Sequence, residues 1–422
     1  MALVRNCQGF VRYTFAICYD GLNCLGFSYQ GENENCINKQ GSDLRALHSV
    51  EGRVRSALSA LVNTSTNTNT NLKGDTSETE NYESNFENFQ VSSRTDRSVH
   101  ALKNTFHVDI RAKDANLNSS SMNFSNLIAN ESIPWRPQNL VRGLNFHLIR
   151  NAREDAAEFM SMSMPMSPGK TRATTKFPQN LLRCADNDIR IISCRPAPSE
   201  LLPNKHYEIG GPQPSHISWN ARFTATNRTY IYRILVHRIP RVYNADGKDS
   251  DEDGDNNHFR GEDYGVPFEA GRAWRIRCKN RMDLDAMKGA ASLLTGTHDF
   301  SSFRGKGCYR SNPVTTIERI TVQATPLLST FVNANVWDDE RGDEDDDGDN
   351  NAQIITVAIK GNAFLYRQVR NLVGTLKSVG EGKLDVGDVE SILMARDRSQ
   401  APQMAPAHGL YLANVEHGDF YI

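Results

Sequence analysis

Apolar positions along this chain switch repeatedly between the period of a strand and that of a helix. Val11, Tyr13, Phe15 and Ile17 alternate with Arg12, Thr14 and Ala16, which predicts a strand with one face buried. Tyr19-Asp20-Gly21 turns the chain, and Val50, Val54, Leu58 and Leu61 then recur at helical spacing behind Ser49, a residue able to cap the first turn. A strand over Phe106 to Ile110, a helix around Leu140 to Ile149 and a strand over Ile189 to Cys194 follow. Beyond Trp219 the alternation begins again. Thr229 to Val236, Ile317 to Val322 and Ile355 to Ile359 read as strands, and Leu284 to Leu294, ending at Gly296, reads as a helix. Leu365, Val369, Leu372 and Leu376 mark an amphipathic helix, and Val389 to Met394 another. Two stretches of similar content predict an α+β chain of two units, 10–217 and 218–422.

Polar stretches interrupt this pattern. Residues 64–89 are rich in Asn, Thr, Ser and Glu and hold almost nothing to bury, so they read as a disordered insertion, as do 116–126 and 154–176. Acidic insertions fall at about 246–257 and 338–351. Asp249-Ser250-Asp251-Glu252-Asp253-Gly254 and Asp343-Glu344-Asp345-Asp346-Asp347-Gly348 each match the opening of a calcium-binding EF-hand loop. The twelfth position of such a loop is a bidentate Glu, and here it is Arg260 or Ile354, so both runs read as solvated acidic loops.

Charge changes the picture once these runs are set aside. The formal net charge is −2, but Asp246 to Asp255 holds six acids and one Lys, and Asp338 to Asp349 nine acids and one Arg. Outside them 46 basic residues face 35 acidic ones, a net +11. A basic body of this kind suits a phosphate-bearing partner. No stretch approaches the roughly 18 apolar residues of a membrane-spanning helix. Eight cysteines form no Cys-x-x-Cys pair, so neither a zinc site nor a disulfide framework is predicted, and the compartment reads as reducing. Arg5 and Arg12 without an acid before Asp20 hint at a mitochondrial presequence, although strand-like alternation near Val11 leaves little room for one.

The chemistry concentrates in Ser93-Arg94-Thr95-Asp96-Arg97-Ser98-Val99-His100-Ala101-Leu102. A carboxylate among Arg94, Arg97 and His100 stays ionised, because nearby positive charge favours the charged form. Asp96 is therefore a candidate nucleophile. The bland alternative is a surface turn in which Thr95 and Asp96 cap local backbone.

The stretch resembles the signature of the TruA-type tRNA pseudouridine synthases, Gly-Arg-Thr-Asp-Ala-Gly-Val-His-Ala. Further segments resemble the same family in the same order: Arg222 to Ile234, the run Asp299-Phe300-Ser301-Ser302-Phe303-Arg304, Phe364 to Gly374, and Ala405 to Tyr411. Ser92-Ser93-Arg94-Thr95-Asp96 is most like the subgroup called tRNA pseudouridine synthase-like 1, which is largely mitochondrial. The resemblance implies a continuous, mainly antiparallel sheet with helices on one side and a cleft between two halves. It implies isomerisation of uridine to pseudouridine in the tRNA anticodon arm, at positions 38–40, by a homodimer without cofactor or metal.

By the same resemblance Asp96 is the nucleophile, Tyr230 stacks on the uracil and handles a proton, Arg370 pairs with Asp96, and Arg94 props the gap left by the extruded base. Tyr232, two residues on from Tyr230, shares its strand face and reads as the structural member of the pair. Arg97, His100, Arg222, Arg228 and Arg304, with Lys306 and Arg310 nearby, are candidate contacts to RNA. Ser93, Arg97 and Ser98 depart from the family's Gly, Ala and Gly. A serine adopts positive φ less easily than glycine, so Ser98 is where the turn after Asp96 is expected to differ. Rival readings are an inactive RNA-binding paralogue, an enzyme acting on mRNA, and a hydrolase using Asp96 with a second carboxylate. No acidic partner in these segments supports the last.

Overall fold

The computed structural model describes residues 10–28, 49–64, 85–112, 135–163, 188–198, 202–203, 216–217, 219–238, 269–278, 280–326, 352–418 and 420–422. They fall into two units, one reaching Asn227 and reclaiming Leu412–Ile422, the other Arg228–Tyr411. This division runs beyond the 217/218 boundary expected from sequence and returns the last residues to the first unit.

The first unit carries β1 (Phe10–Tyr19), α1 (Val50–Thr64), β2 (Phe86–Val91), β3 (His100–Arg111), α2 (Pro137–Ser163) and β4 (Ile189–Pro196). A two-residue ladder of β5 (Leu202–Pro203) and β6 (His216–Ile217) follows. Its main sheet runs β4-β1-β3, with β2 also on β3, all antiparallel. Ser49 Oγ accepts from the Gly52 N–H at 3.0 Å, which caps α1 as expected. Val50, Val54, Ala57, Leu58 and Val62 form the buried face of that helix.

Two expectations are corrected here. β1 is buried on both faces, because it is a central strand and its polar side is also covered. Arg12 makes a bidentate pair with Asp109 at 2.7 and 2.8 Å, and donates to Trp219 O at 3.0 Å. The insertion expected at 64–89 ends earlier, since Phe86–Val91 is β2 and Phe89 stacks on Phe106 with ring centroids 4.8 Å apart. Residues 154–163 continue α2. The remainder of that stretch, 65–84, 116–126, and the acidic runs at 246–257 and 338–351 lie outside the described residues.

The second unit carries β7 (Asn227–Arg238), β8 (Trp274–Cys278), α3 (Leu284–Leu293), β9 (Gly296–Asp299), β10 (Val314–Pro326), β11 (Ala352–Gly361), α4 (Gln368–Gly380) and α5 (Val386–Ala395). Its sheet runs β7-β11-β10-β9 with antiparallel neighbours, and β8 adds a parallel strand to β7. Ile354, the twelfth position of the second acidic run, is a buried residue of β11. On α4, Val369, Leu372, Val373 and Leu376 face inward. The last strand, β12 (Leu410–Glu416), belongs to the first unit from Leu412 on and lies beside β3 there.

The described residues are thus α+β, with mainly antiparallel sheets. Among them no helix is long and apolar enough to cross a membrane, and no group of three His, Cys, Asp or Glu is placed to hold a metal ion. Cys18, Cys24, Cys194, Cys278 and Cys308 are free thiols.

Candidate active site

Asp96 sits in the loop joining β2 to β3, and nearly every residue around it is tied to the first unit's core. Ser92 Oγ donates to Ala221 O at 2.6 Å and lies 2.5 Å from Thr105 Oγ1. Thr105 Oγ1 stands 2.8 Å from His417 Nε2, whose Nδ1 is 3.2 Å from Thr224 Oγ1. Asn104 Nδ2 donates to Ser93 O at 2.8 Å. Thr95 contributes its hydroxyl to Tyr19 Oη at 2.8 Å and its carbonyl to the Phe27 N–H at 3.0 Å.

The side-chain bonds of Ser92, Thr105, Thr95 and His417 are buried, so leaving any of them unmade is costly. They fix the stretch that leads into Asp96. Sequence patterns pointed to the loop but not to Tyr19, Asn104 and His417, which hold it. Each is an ordinary polar residue in or beside an apolar run, and only the fold brings it to the loop.

After Asp96 the chain turns sharply, with the Val99 N–H donating to Asp96 O at 3.2 Å. Ser98 adopts φ 62°. Serine therefore takes a left-handed conformation that glycine would take without strain. Arg94 and Arg97 are exposed, and Asp96 is partly buried. His100 is 2 % exposed at the start of β3, its Nδ1 3.2 Å from the Gly21 nitrogen and 3.1 Å from Asp20 Oδ1. β3 thus begins well before the Phe106 expected from sequence, because Asn104 and Thr105 enter the core with their hydrogen bonds satisfied. Arg222 is exposed beside Phe223, its guanidinium 5.5 Å from the ring centroid.

In the second unit Tyr230 and Tyr232 lie on one face of β7. Tyr230 is largely buried and meets Phe364 edge-on at 5.1 Å. Tyr232 is wholly buried, and its hydroxyl donates to Pro406 O at 2.8 Å. Burial pushes the Tyr232 hydroxyl well above its usual range, and the charge of Arg370 opposes that only in part. Tyr232 is thus held as a neutral donor. Arg228 donates to Asn362 O at 2.7 Å, and burial lowers its pKa while Tyr230 acts the other way.

Arg370, in the first turn of α4, gives its Nε to Ala405 O at 2.7 Å, while Ala405 N–H donates back to Arg370 O at 3.1 Å. The segment around 405–406 therefore touches both Tyr232 and Arg370 and fixes the base of the Arg370 side chain. Arg304 spends its guanidinium within its own loop, on Cys308 O at 2.8 Å and Arg310 O at 2.5 Å. Asp96 lies in one unit, and Tyr230, Arg370, Arg228 and Arg304 in the other.

Residues 290–417 match the family model described as tRNA pseudouridine synthase. The chain is 35% identical over 205 residues to tRNA pseudouridine synthase A of Beijerinckia indica subsp. indica, a match covering 49% of this chain and 58% of the relative. It is 31% identical over 201 residues to the protein of that name in Ruegeria sp., covering 48% and 59%. With that of Caulobacter vibrioides it shares 33% over 201 residues, covering 48% and 60%. The chain thus spans about three fifths of the length of the curated relatives it matches. Over about half its length, which takes in neither the whole chain nor the whole of these relatives, the chain is thus similar to proteins named tRNA pseudouridine synthase A.

Proposed function

We propose that this protein isomerises uridine to pseudouridine in the anticodon arm of tRNA, with Asp96 as nucleophile. The reaction breaks the N-glycosidic bond, turns the uracil, joins C5 to C1′ of the ribose and removes the C5 proton. The base gains an N–H where the glycosidic bond was, so no co-reactant is consumed. The observation that carries this reading is the Asp96 loop. The stretch leading into it, Ser92 to Thr95, is held by hydrogen bonds with Thr105, Asn104, Tyr19 and Phe27, while Asp96 itself keeps partial exposure. A nucleophile pre-set in this way loses little entropy on reaching its target.

Family likeness supports Tyr230 for stacking on the uracil and accepting a proton, Arg370 for keeping the nucleophile ionised, and Arg94 for propping the extruded nucleotide's place. Arg97, Arg222 and Arg228 follow as RNA contacts, with His100 positioning the loop at the end of the signature. The net +11 outside the acidic runs suits a polyanionic substrate. The same likeness supports a homodimer and, through the subgroup, a mitochondrial location.

Tritium release from C5-labelled uridine in tRNA tests the reading. Asp96→Asn and Asp96→Ala abolish release while tRNA binding persists. Release at the wild-type rate in either variant would sink the role of Asp96, and no release from the wild-type protein on any tRNA pool would sink the activity.

A further inference from the structure

The loop after β9 is shaped more firmly than the core requires. Arg304 holds two carbonyls of its own loop, those of Cys308 and Arg310, and Arg310 donates in turn to Val314 O at 3.1 Å. The Gly305 N–H donates to Tyr366 O at 2.7 Å, and a Cβ on Gly305 would meet that oxygen at 2.9 Å. The loop therefore lies directly on the turn that leads into α4. Between the two clamped carbonyls stands Tyr309, which is 98% exposed.

A single exposed ring needs no explanation. This one is displayed on a backbone fixed by an arginine fork, and its neighbours repeat the chemistry. Tyr366 is 37% exposed, with the Arg367 guanidinium 4.6 Å from its ring centroid. Arg367 is itself exposed and adopts φ 60°, a conformation that costs free energy for a non-glycine residue. Lys306 is exposed beside Tyr309. From Phe300 to Asn312 and from Asn362 to Arg370 there are five cations and no acid.

Cations among exposed rings match an unpaired nucleic-acid strand, whose phosphates take the charges and whose bases offer faces to stack. A duplex would use the cations and leave the rings idle, since its bases are already stacked. An acidic peptide would likewise leave the rings unused.

We propose that the 304–310 loop and the 364–367 turn form one docking surface for unpaired RNA nucleotides. Tyr309 is its base-stacking residue, and Lys306 and Arg367 are its phosphate ligands. This rests on the tRNA reading and names the part of the substrate that the surface takes: looped-out nucleotides of the arm.

The test uses the full chain with two probes, an anticodon-arm stem-loop RNA and a fully paired RNA of the same length, read by fluorescence anisotropy. Tyr309→Ala weakens stem-loop binding about tenfold or more, and Tyr309→Trp restores it. Binding of the paired RNA changes little in either variant. Lys306→Ala lowers the salt dependence of stem-loop binding by about one unit of slope. Wild-type affinity in Tyr309→Ala overturns the proposal, as does an equal loss on paired RNA or a failure of tryptophan to restore binding. Matching urea midpoints show that the exposed substitutions leave the fold intact. If Tyr309→Ala weakens stem-loop binding but the wild-type protein releases no tritium, the surface stands and the isomerase reading falls. If release is normal and Tyr309→Ala binds like wild type, the reverse holds.

Discussion

The Tyr19 hydroxyl, at the end of β1, lies 2.8 Å from the Thr95 hydroxyl, one residue before Asp96. The same oxygen accepts from Asn104 Nδ2 at 3.3 Å, and all three residues are buried. A central strand is thereby coupled to the position of the candidate nucleophile. Tyr19→Phe keeps the ring and leaves two buried polar groups short of a partner, at about 1–3 kcal/mol. The urea midpoint is expected to fall accordingly. The rate of pseudouridine formation per folded molecule falls as well, because the loop is no longer pinned. A lowered midpoint with an unchanged rate would reduce the contact to a structural one.

Ser98 bears directly on how this chain departs from the signature it resembles. A left-handed backbone costs a non-glycine residue roughly 1–2 kcal/mol, and glycine would return most of that less about 0.5–1 kcal/mol of extra chain entropy. Ser98→Gly is therefore expected to stabilise the protein by up to about 1 kcal/mol and to keep activity. Ser98→Val, branched at Cβ, destabilises it. Urea unfolding of the two variants checks the order, and a glycine variant less stable than wild type would show that the serine side chain contributes more than the strain removes.

Much of the fold was legible because burial and period coincide. β1, α1, β7, α4 and α5 carry unbroken apolar patterns, and each forms within a few residues of its expected place. β2 was hidden for the opposite reason. It contributes one well-buried ring, Phe89, from a stretch of Asn and Glu, and a single buried residue has no period. What distinguishes Tyr230 from Tyr232 was no more visible locally. The two share a face, and Tyr232 is committed to the interior by a carbonyl at Pro406. The Asp96 loop stood out through its motif, while the residues that hold it come from β1, β3 and the C-terminus and carry no motif of their own.

Gly374 illustrates a case where helix propensity gives the wrong sign. Replacing an interior helical glycine by alanine gains about 1 kcal/mol in isolation. Here a Cβ would come within 2.2 Å of Gln403 O and 3.3 Å of Ala405 N. Backbone cannot yield as a side-chain tip does, so overpacking of about 1–3 kcal/mol wins. The segment that must move also carries the Ala405 carbonyl to which Arg370 is bonded. Gly374→Ala is expected to lower both the urea midpoint and tritium release, and a midpoint above wild type would refute the close approach.

His107 should make stability depend on pH in a defined window. It is wholly buried on β3, and its Nδ1 accepts from the Ala221 N–H at 3.0 Å. Burial first, then the charge of Arg12, push its pKa from 6.5 down to about 3, against the opposing pull of Asp109. The folded protein thus keeps the ring neutral, while the unfolded chain takes up a proton as pH falls below 6.5. Stability from this group is complete above 6.5 and is lost progressively towards pH 3, at about 1.4 kcal/mol per pH unit. His107→Gln removes the titration and leaves a side chain that can still accept from Ala221. The stability advantage of wild type over this variant is expected to shrink by about 2 kcal/mol between pH 7 and pH 5 in urea unfolding. Carboxylates elsewhere titrate equally in both proteins and cancel in the difference. Parallel pH profiles would mean that the histidine is protonated in the folded state, and that the bond from Ala221 is not made.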